Sequence, residues 1–418
     1  MRSSCAMACA LVVGAALLVP PGPRAAESAP LPATASPGPL SCVLEIAGRD
    51  AAGNTVLQTV GYALDRPGLL LAPLSILAAG AARWRSLSAA PDPLGSGPTS
   101  GATSGPASGA AGSAGASRPS AGSADVTEFL LEDPERDLVL LRAPGLGACE
   151  AGVTAAVPAE SAGESWIGIR NREGYRGRVY RAQLDRTIPV RGGPDLLRVR
   201  IPDGGGAGSG FLLDSRRRLI ASILPAPSGA DRLLACAVPI DGKAIDAAAG
   251  SAGRPLLEAS STPRAQGQAA RTPAAILAQA LLLTRDDQAD RALALLDEVV
   301  GMIGESDVLL MERGAWRFRI GRSEAAILDF ARAAALNPRL FPAHLNLGVA
   351  LGTTGRYPEA ADALKRALTI DPYNAPAHYQ LALALAAAKH RDQARGEYER
   401  LRLLDAAMAR DLGALLQF

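Results

Sequence analysis

The feature that most restricts the fold of this 418-residue chain is a pattern with a period of 34 residues, which runs without insertion from Pro273 to Met408. Pairs of helices need small residues where they cross closely, a bulky residue beside the crossing, and a stop signal before the next pair. Two registers of the period hold small residues, which are Ala292, Ala326, Ala360 and Ala394 in one and Ala280, Gly314, Gly348 and Ala382 in the other. A third register holds larger, apolar residues: Leu296, Phe330, Leu364 and Tyr398. Two of the units end at a proline, Pro338 and Pro372. The period therefore predicts an array of helix pairs.

The segment PAHLNLGVALGTTGRYPEAADALKRALTIDP, residues 342–372, carries this pattern most completely, and it resembles the tetratricopeptide repeat. The resemblance implies an all-α solenoid of four repeats, followed by a capping segment at 409–418. It also implies a concave groove, lined by the first helix of each repeat, that binds a protein or peptide ligand. The repeats are expected at 273–306, 307–340, 341–374 and 375–408.

The groove positions of that family fall on a mixture of apolar, amide and basic side chains: Arg285, Met311, Phe318, Arg319, Leu345, Asn346, Tyr379 and Gln380. This mixture predicts an extended peptide with apolar side chains and an acidic group near Arg285 and Arg319. Asn346 matches a position that the family uses to clamp a carboxylate, but Pro376 and Gln380 stand where such clamps carry basic residues. The carboxylate clamp is therefore not carried over to this chain.

Residues 42–246 have a different pattern, in which short strand-like runs alternate with clusters of Gly, Pro and Asp. Many short strands of this kind predict a barrel or a sandwich. Two segments rich in Gly, Ser, Ala, Pro and Thr interrupt the chain, and such compositions bury little apolar surface. We expect residues 91–123 to be a disordered insertion in the β domain and residues 247–272 to be a linker.

Five pieces of the β domain resemble, in the same order, the trypsin-like serine proteases of the bacterial Deg type. They are GLLLAPLSILAAGA (68–81), DPERDLVLLR (133–142), WIGIRNREG (166–174), GGGAGSGFLLDSRRRLIASI (204–223) and LACAVPIDGKAI (234–245). The resemblance implies an all-β trypsin-like double barrel. The whole chain is then a multidomain protein, with this double barrel followed by the helical solenoid.

The catalytic chemistry of that family needs a hydroxyl nucleophile, an imidazole base and a carboxylate. By the resemblance, the histidine position falls on Ser75, the aspartate position on Asp137 and the serine position on Gly208, while a shift of one residue offers Ser209 as the nucleophile. The chain has three histidines, His344, His378 and His390, and all of them lie in the repeats. A Ser–Lys dyad would require Lys243, whose expected place on the closing helix gives it no evident reach to Ser209.

The glycines from Gly204 to Gly210 have two interpretations. Their backbone N–H groups can form an anion-binding nest, as the remnant of an oxyanion hole, or the glycines only keep a turn flexible. Asp137 likewise has a structural interpretation besides the catalytic one.

The segment from Arg170 to Arg200 is rich in arginine: Arg170, Arg172, Arg176, Arg178, Arg181, Arg186, Arg191, Arg198 and Arg200. A basic stripe formed by Arg176, Arg178 and Arg181 would attract an acidic protein, a polysaccharide or a lipid headgroup. The alternative is a solvated barrel face in an arginine-rich chain. The net charge of the whole chain is only +2, so no nucleic-acid partner is expected.

Residues 1–28 have the features of a secretory signal, with Arg2 before an apolar core from Ala6 to Val19. The sequence therefore predicts a periplasmic or secreted protein, with an uncleaved N-terminal anchor as the alternative and no other membrane-spanning segment. The mature chain keeps Cys42, Cys149 and Cys236. An oxidising compartment permits one disulfide in any of three pairings, and three buried thiols are the alternative.

The leading hypothesis is an exported, non-catalytic scaffold protein in which a degenerate protease barrel accompanies a peptide-binding repeat domain. Its main alternative is an active trypsin-like serine endopeptidase of the cell envelope that uses the repeats to recruit substrates or partners. A third class is a carbohydrate or envelope-surface binder that uses the arginine-rich segment. No cofactor is expected, and three distant cysteines without a nearby histidine predict no metal site.

Overall fold

A computed structural model describes residues 42–49, 55–74, 83–88, 124–149, 152–153, 166–170, 178–201, 210–214, 218–255 and 271–417. These residues belong to two units, and each is treated by itself. The β unit contains the described residues up to Leu282, and the helical unit runs from Leu283 to Gln417. The signal segment, the insertion at 91–123 and the linker residues 256–270 lie outside the described residues.

Eight of the described strands of the β unit form one sheet. They are β1 (Val43–Arg49), β2 (Thr55–Ala63), β3 (Leu69–Pro73), β4 (Arg83–Ser88), β5 (Ala124–Val126), β6 (Glu128–Asp133), β7 (Leu138–Arg142) and β14 (Arg254–Pro255). The order is β14-β6-β7-β3-β2-β1-β4-β5, and neighbouring strands are antiparallel. The central strands β3 (LLLAP) and β7 (LVLLR) are buried along almost their whole length, as expected for strands that are covered on both faces.

Six further described strands close into a barrel. They are β8 (Trp166–Arg170), β9 (Arg178–Ile188), β10 (Leu196–Arg200), β11 (Gly210–Leu213), β12 (Leu219–Ile223) and β13 (Leu234–Pro239). Alternate residues of these strands fill the barrel interior, among them Leu197, Val199 and Leu212. Phe211 and Leu213 belong instead to the core of the eight-stranded sheet, where the Phe211 ring lies 6.0 Å from that of Tyr62. Strand β11 therefore joins the two β cores.

Helix α1 (Gly242–Ala249) follows the barrel and is capped at its N-terminus by Asp241, whose side chain accepts hydrogen bonds from the N–H groups of Lys243 and Ala244. The predicted linker starts at residue 247, but α1 extends to Ala249 and the chain then pairs with β6 as β14. Arg142 holds this segment because its guanidinium donates to the carbonyls of Ala249 and Ser251. The β unit therefore continues beyond the predicted boundary.

One disulfide joins Cys42, immediately before β1, to Cys149, after β7. Their Cα atoms lie 5.4 Å apart, within the range that a disulfide requires. Of the three pairings that the sequence leaves open, this is the one present. Cys236 on β13 is buried, and its Sγ lies 3.9 Å from the carbonyl oxygen of Ala278.

Helix α2 (Pro273–Leu282) is the first helix of the first predicted repeat, yet it belongs to the β unit and packs against β13. The backbone N–H of Asp231 donates to the carbonyl of Leu282 at 3.0 Å. Gln279 is the one polar residue of this helix, and Ala274, Ile276 and Leu281 are among its buried residues. The boundary between the units thus falls inside the first predicted repeat rather than at the linker.

The helical unit is a succession of antiparallel helices: α3 (Ala289–Ile303), α4 (Asp307–Arg319), α5 (Ser323–Leu336), α6 (Phe341–Thr353), α7 (Tyr357–Ile370), α8 (Ala375–Ala387), α9 (Arg391–Leu404) and α10 (Ala406–Leu416). The pairs α4/α5, α6/α7 and α8/α9 make the most extensive contacts, and α3 packs on α4. Helix α10 packs on α8 and α9 through Leu412 and Leu416. The prediction of an N-terminal β region followed by a helical repeat region is confirmed.

The small registers of the sequence lie where paired helices cross. A Cβ added to Gly314 would come 2.7 Å from the Phe330 ring, and one added to Gly348 would come 2.5 Å from Cγ of Leu364. Real Cβ atoms do not approach other atoms this closely, so only glycine fits at these two crossings. The sequence predicts that a small residue of one register packs against a large residue of another. In the structure, the paired helices pack in this way.

We expect Gly348→Leu to destabilise the helical unit by about 1–3 kcal/mol or more, because an added side chain cannot be accommodated between α6 and α7. Gly396→Leu is the matched control, since nothing lies within 4 Å of a Cβ built at that helical glycine. The control should leave the unit as stable as before or slightly more stable. Urea unfolding followed by helical circular dichroism measures both effects, and equal losses for the two variants would contradict this packing.

None of the helices in the described ranges has the length and hydrophobicity needed to cross a bilayer.

Candidate functional site

The first helices of the three complete pairs, α4, α6 and α8, lie next to one another in the helical unit. They carry most of the predicted groove residues at equivalent positions 34 residues apart, including the sequence neighbours Leu345 and Asn346 on α6 and Tyr379 and Gln380 on α8. Met311 on α4 and Tyr379 are partly buried, whereas Leu345, Asn346 and Gln380 are at most 4% exposed. Met311 and Tyr379 are therefore the more accessible of these five side chains.

The amide side chains of Asn346 and Gln380 are unusual. Neither the oxygen nor the nitrogen of either amide has a hydrogen-bond partner among the described residues, although all four atoms are buried. A buried amide without partners costs about 1–3 kcal/mol per group, because the water that it loses is not replaced. Each amide offers both a donor and an acceptor, the combination that a peptide backbone also presents. These two side chains form what we call the amide pair.

The two predicted groove arginines are already engaged with acidic residues of the helical unit. Nη2 of Arg319 donates to Oδ1 of Asp286 at 2.5 Å, and its guanidinium lies 4.3 Å from the centre of the Trp316 ring. Arg285 pairs with Asp287 through two hydrogen bonds of 3.0 and 3.1 Å. Both pairs are exposed, so each contributes little to stability. Recognition of an acidic ligand by Arg285 and Arg319 stays a prediction.

Sequence reasoning missed two residues beside the amide pair. Val349 and Leu383 lie three positions after Asn346 and Gln380, on the same side of their helices, and both are buried. Their shared 34-residue register with Ala315 is the signal that could have identified them. Tyr379 packs in the same cluster as Leu383 and the capping helix α10. Burial, together with the negative charge of Asp411, raises the pKa of the Tyr379 hydroxyl above its ordinary value.

The protease-like positions are only partly described, because Ser75, Gly208 and Ser209 lie outside the described residues. Asp137 ends the turn between β6 and β7, with φ at +51°, a left-handed conformation that aspartate tolerates. Its carbonyl accepts a 2.9 Å hydrogen bond from the N–H of Leu74, the residue before Ser75. The fold therefore brings the predicted aspartate position next to the end of the segment that leads to the predicted histidine position.

The hairpin of β11 and β12 is fixed by the buried carboxylate of Asp214. That carboxylate accepts hydrogen bonds from the backbone N–H and from Nε of Arg218, both at 2.8 Å. Tyr62 donates its hydroxyl to the carbonyl of Gly152 at 3.2 Å. Burial, and then the charge of Asp214, raises the pKa of Tyr62 far above its ordinary value.

The predicted basic stripe lies largely outside the described side chains, since those of Arg170, Arg172, Arg176, Arg178 and Arg181 are not described. At the other end of the segment, Asp185 neutralises part of the charge. Nε of Arg198 lies 2.6 Å from Asp185 and Nη2 of Arg200 lies 3.8 Å from it. Binding of an acidic partner to this segment stays a prediction.

In the described part of the chain, no group of three His, Cys, Asp or Glu side chains is placed to hold a metal ion. Lys243 is exposed on α1.

Comparison with known proteins supports the repeats. The tetratricopeptide repeat family model matches residues 353–416. The C-terminal region contains tetratricopeptide repeats. Repeats of this family are protein-binding modules that present extended concave surfaces.

Solved structures show weaker similarities. The crystal structure of MamA is 22% identical over 33% of this chain and 81% of its own, with a TM-score of 0.31. MamA 41-end from Desulfovibrio magneticus RS-1 is 16% identical over 34% of this chain and 82% of its own, with a TM-score of 0.32. The Rv3671c protease from M. tuberculosis in its active form is 18% identical over 52% of this chain and 83% of its own, with a TM-score of 0.36. No curated protein matches the sequence.

Proposed function

We propose that this protein is an exported, non-catalytic scaffold whose tetratricopeptide repeats bind a segment of a partner protein. The observation that carries the proposal is the amide pair, because two buried amides without partners occupy equivalent positions on adjacent helices. A peptide backbone bound along these helices would supply the missing donor and acceptor to each amide. Buried amides that lack hydrogen-bond partners at repeated positions are explained if a bound ligand forms the missing hydrogen bonds.

The surroundings of the amide pair indicate the side chains of that ligand. The partly buried Met311 and Tyr379 offer apolar contacts, and α6 and α8 contain no Asp, Glu, Lys or Arg. Charged ligand side chains would lose their hydration there without compensation. The central part of the ligand segment is therefore expected to be apolar and uncharged.

The proposal that the β unit does not hydrolyse peptides rests on the histidines. His344 and His378 are buried in the helical unit, where Nε2 of each donates to a carbonyl, that of Pro338 at 3.0 Å and that of Pro372 at 2.9 Å. Nδ1 of His378 also lies 2.6 Å from Oε2 of Glu397. Because the third histidine lies in the repeats as well, the β unit has no imidazole to activate a serine.

We expect a fluorophosphonate probe, which reacts with activated serines, to leave residues 29–418 unlabelled. An active trypsin-like protease of similar concentration is the positive control, and Ser209→Ala is the matched variant. Labelling of the parent protein that disappears in Ser209→Ala would contradict the proposal and establish the alternative, an active endopeptidase of the cell envelope.

The proposed export has support of two kinds. Residues 1–28 have the pattern of a secretory signal, and Cys42 and Cys149 form a disulfide. Disulfides persist in oxidising compartments such as the periplasm and the extracellular space. Fractionation of cells that express the full chain tests this part, and recovery of the mature protein from the reducing cytoplasm alone would contradict it.

Partner capture with matched groove and outer-surface variants tests the binding function. Residues 29–418 serve as bait in extracts of the cell envelope, with Met311→Lys as the groove variant and Leu328→Lys as the control. Met311 is partly buried on α4, whereas Leu328 is 71% exposed on α5, the second helix of the pair. The specific partner should be lost with Met311→Lys and retained with Leu328→Lys. Equal capture by both variants would place binding elsewhere.

A further inference from the structure

Exposed apolar side chains are concentrated at one edge of the helical unit. The second helices of the pairs run in the same direction, because neighbouring helices are antiparallel, so their C-terminal ends lie at the same edge. In the described part of the chain, seven large apolar side chains are at least 37% exposed. Five of the seven lie at or just after these C-terminal ends, and we call them the apolar edge: Met302, Leu336, Tyr373, Leu403 and Leu404.

Much of the apolar edge repeats with the period of the helix pairs. Met302, Leu336 and Leu404 occupy one register of the 34-residue period, and Ile370, which is partly buried, completes that row. Single exposed apolar side chains are ordinary on protein surfaces, whereas a concentration of them indicates a surface that another structure covers. The two most exposed side chains of the edge are 80% and 89% exposed, so packing of the helix pairs does not explain them.

A row of arginines runs beside the apolar edge. Arg332, Arg366 and Arg400 share one register, four residues before the apolar row, and all three are exposed. Residues four positions apart lie on the same face of a helix, one above the other. Each arginine is therefore set back from the edge by about one helical turn, or roughly 5–6 Å. Arg339 adds a fourth exposed guanidinium in the turn after α5.

These arginines keep hydrogen-bond donors for an anion. Within the described residues, Arg332 donates only through Nε, to Glu305, and Arg400 donates only through Nη1, to Glu397. Arg366 forms no ion pair with any described residue. A guanidinium has five N–H donors, so most of the donors of this row remain for phosphate oxygens.

The apolar edge and the arginine row lie at two depths, which fits a lipid bilayer with anionic headgroups. Apolar side chains of interfacial proteins enter the boundary of the acyl chains by about 5–10 Å, while basic side chains stay near the headgroup phosphates. Tyrosine is enriched at the same boundary. Asp371 and Asp405 also lie at this edge, but their carboxylates accept hydrogen bonds from backbone N–H groups of the residues that follow them. The arginines are therefore the charged groups that lipid phosphates would meet.

We propose that the apolar edge docks the helical unit on the surface of an anionic lipid bilayer, with the exposed arginines on lipid phosphates. This docking goes beyond the proposed function, because it uses the C-terminal ends of the second helices, whereas the partner segment is proposed to lie along the first helices. It lets the protein collect at a membrane through side chains of the repeats while the first helices bind the partner.

Vesicle flotation with residues 29–418, which lack the apolar segment 6–19, tests the proposal. Vesicles of phosphatidylglycerol and phosphatidylcholine in equal amounts should carry the protein to the top of the gradient. Vesicles of phosphatidylcholine alone should bind it roughly tenfold more weakly or less, because they have no net charge to attract the arginines. Salt at about 0.5 M should weaken binding to the anionic vesicles by screening the same attraction.

Two double variants separate the apolar contribution from the basic one. Tyr373→Ser with Leu403→Ser should weaken binding to the anionic vesicles by roughly tenfold or more, because it removes the most exposed apolar area of the edge. Leu328→Ser is its control, since Leu328 is 71% exposed but lies two turns of α5 before the edge.

Arg339→Glu with Arg366→Glu should weaken binding by a similar factor, because two attractive charges become repulsive. Arg322→Glu with Arg356→Glu is its control, because it makes the same change of charge at the N-terminal ends of α5 and α7, on the opposite edge. Helical circular dichroism should show that all of these variants are folded, since the replaced side chains are exposed.

Failure of the parent protein to float with the anionic vesicles, or equal flotation of the edge variants and their controls, would overturn the inference. Loss of partner capture by the edge variants, without vesicle binding by the parent, would also overturn it and make the edge a protein-binding surface. Met311→Lys should still float with the vesicles. If it does so while it loses the partner protein, membrane docking and the proposed function are separate, and each can fail without the other.

Discussion

Replacement of Asp329 by alanine should destabilise the helical unit by about 3–5 kcal/mol. Asp329 is only 4% exposed, and its carboxylate accepts hydrogen bonds from Arg313 at 2.8 and 3.2 Å and from Arg317 at 2.7 Å. Both guanidiniums are largely buried, so removal of the carboxylate leaves two positive charges without their shared partner. The cost comes from these unpaired buried charges rather than from the loss of a surface attraction.

The pKa of Arg313 reflects the same competition between burial of the guanidinium and its pairing with carboxylates. Burial alone lowers this pKa, but hydrogen bonds and attraction to Asp329, and then to Asp297, outweigh the burial and raise it above the ordinary value. Asp290→Ala is the matched control, because Asp290 is 89% exposed and lies 3.4 Å from Arg322. Urea unfolding followed by helical circular dichroism should show a change of no more than about 1 kcal/mol for the control. Similar midpoints for the two variants would show that the Asp329 cluster is not stabilising.

Loss of the disulfide should have the second large effect, a destabilisation of the β unit by about 2–5 kcal/mol. The bond joins residues 107 positions apart, and a long loop restricts the unfolded chain strongly. Cys42→Ser with Cys149→Ser removes the bond. Hydrogen exchange followed by mass spectrometry should then show reduced protection in β1, β2 and β3, because Cys149 N–H also donates to the carbonyl of Leu64 at this edge of the sheet.

Reductant provides the control for the disulfide prediction. It should reproduce the effect in the parent protein and cause no further change in the variant that lacks both cysteines. Unchanged protection of β1–β3 in the variant would mean that the sheet is fixed by its hydrophobic core alone.

The helical region could be predicted largely from the sequence, because its information is local and periodic. Gly348 and Leu364 are fixed by the same register that places them at the helix crossing. The ion cluster of Asp329 could not be predicted in this way, since the equivalent position of the next repeat is Ala363 and no periodic signal marks it. Asn346 and Gln380 could be named as groove residues, but their lack of partners is visible only in the structure.

Less of the β unit could be predicted from the sequence. Short strands could be recognised from alternation and turn residues, but their pairing depends on contacts between distant parts of the chain. Neither the pairing of β14 with β6 nor the packing of α2 on β13 has a local signal, so the sequence-based boundaries at residues 247 and 273 differ from those of the unit. The pairing of Cys42 with Cys149 was likewise open until the sheet brought their Cα atoms to 5.4 Å.

The amide pair provides the most direct test of the central claim, that the repeats hold a binding groove. We expect Asn346→Leu with Gln380→Leu to leave the helical unit as stable as the parent or to stabilise it, because apolar side chains replace buried amides that have no partners. The same variant should lose the partner protein in capture experiments with residues 29–418. Unchanged or raised stability together with lost capture is the predicted result, whereas destabilisation with retained capture would show that the amides are structural and would contradict the account.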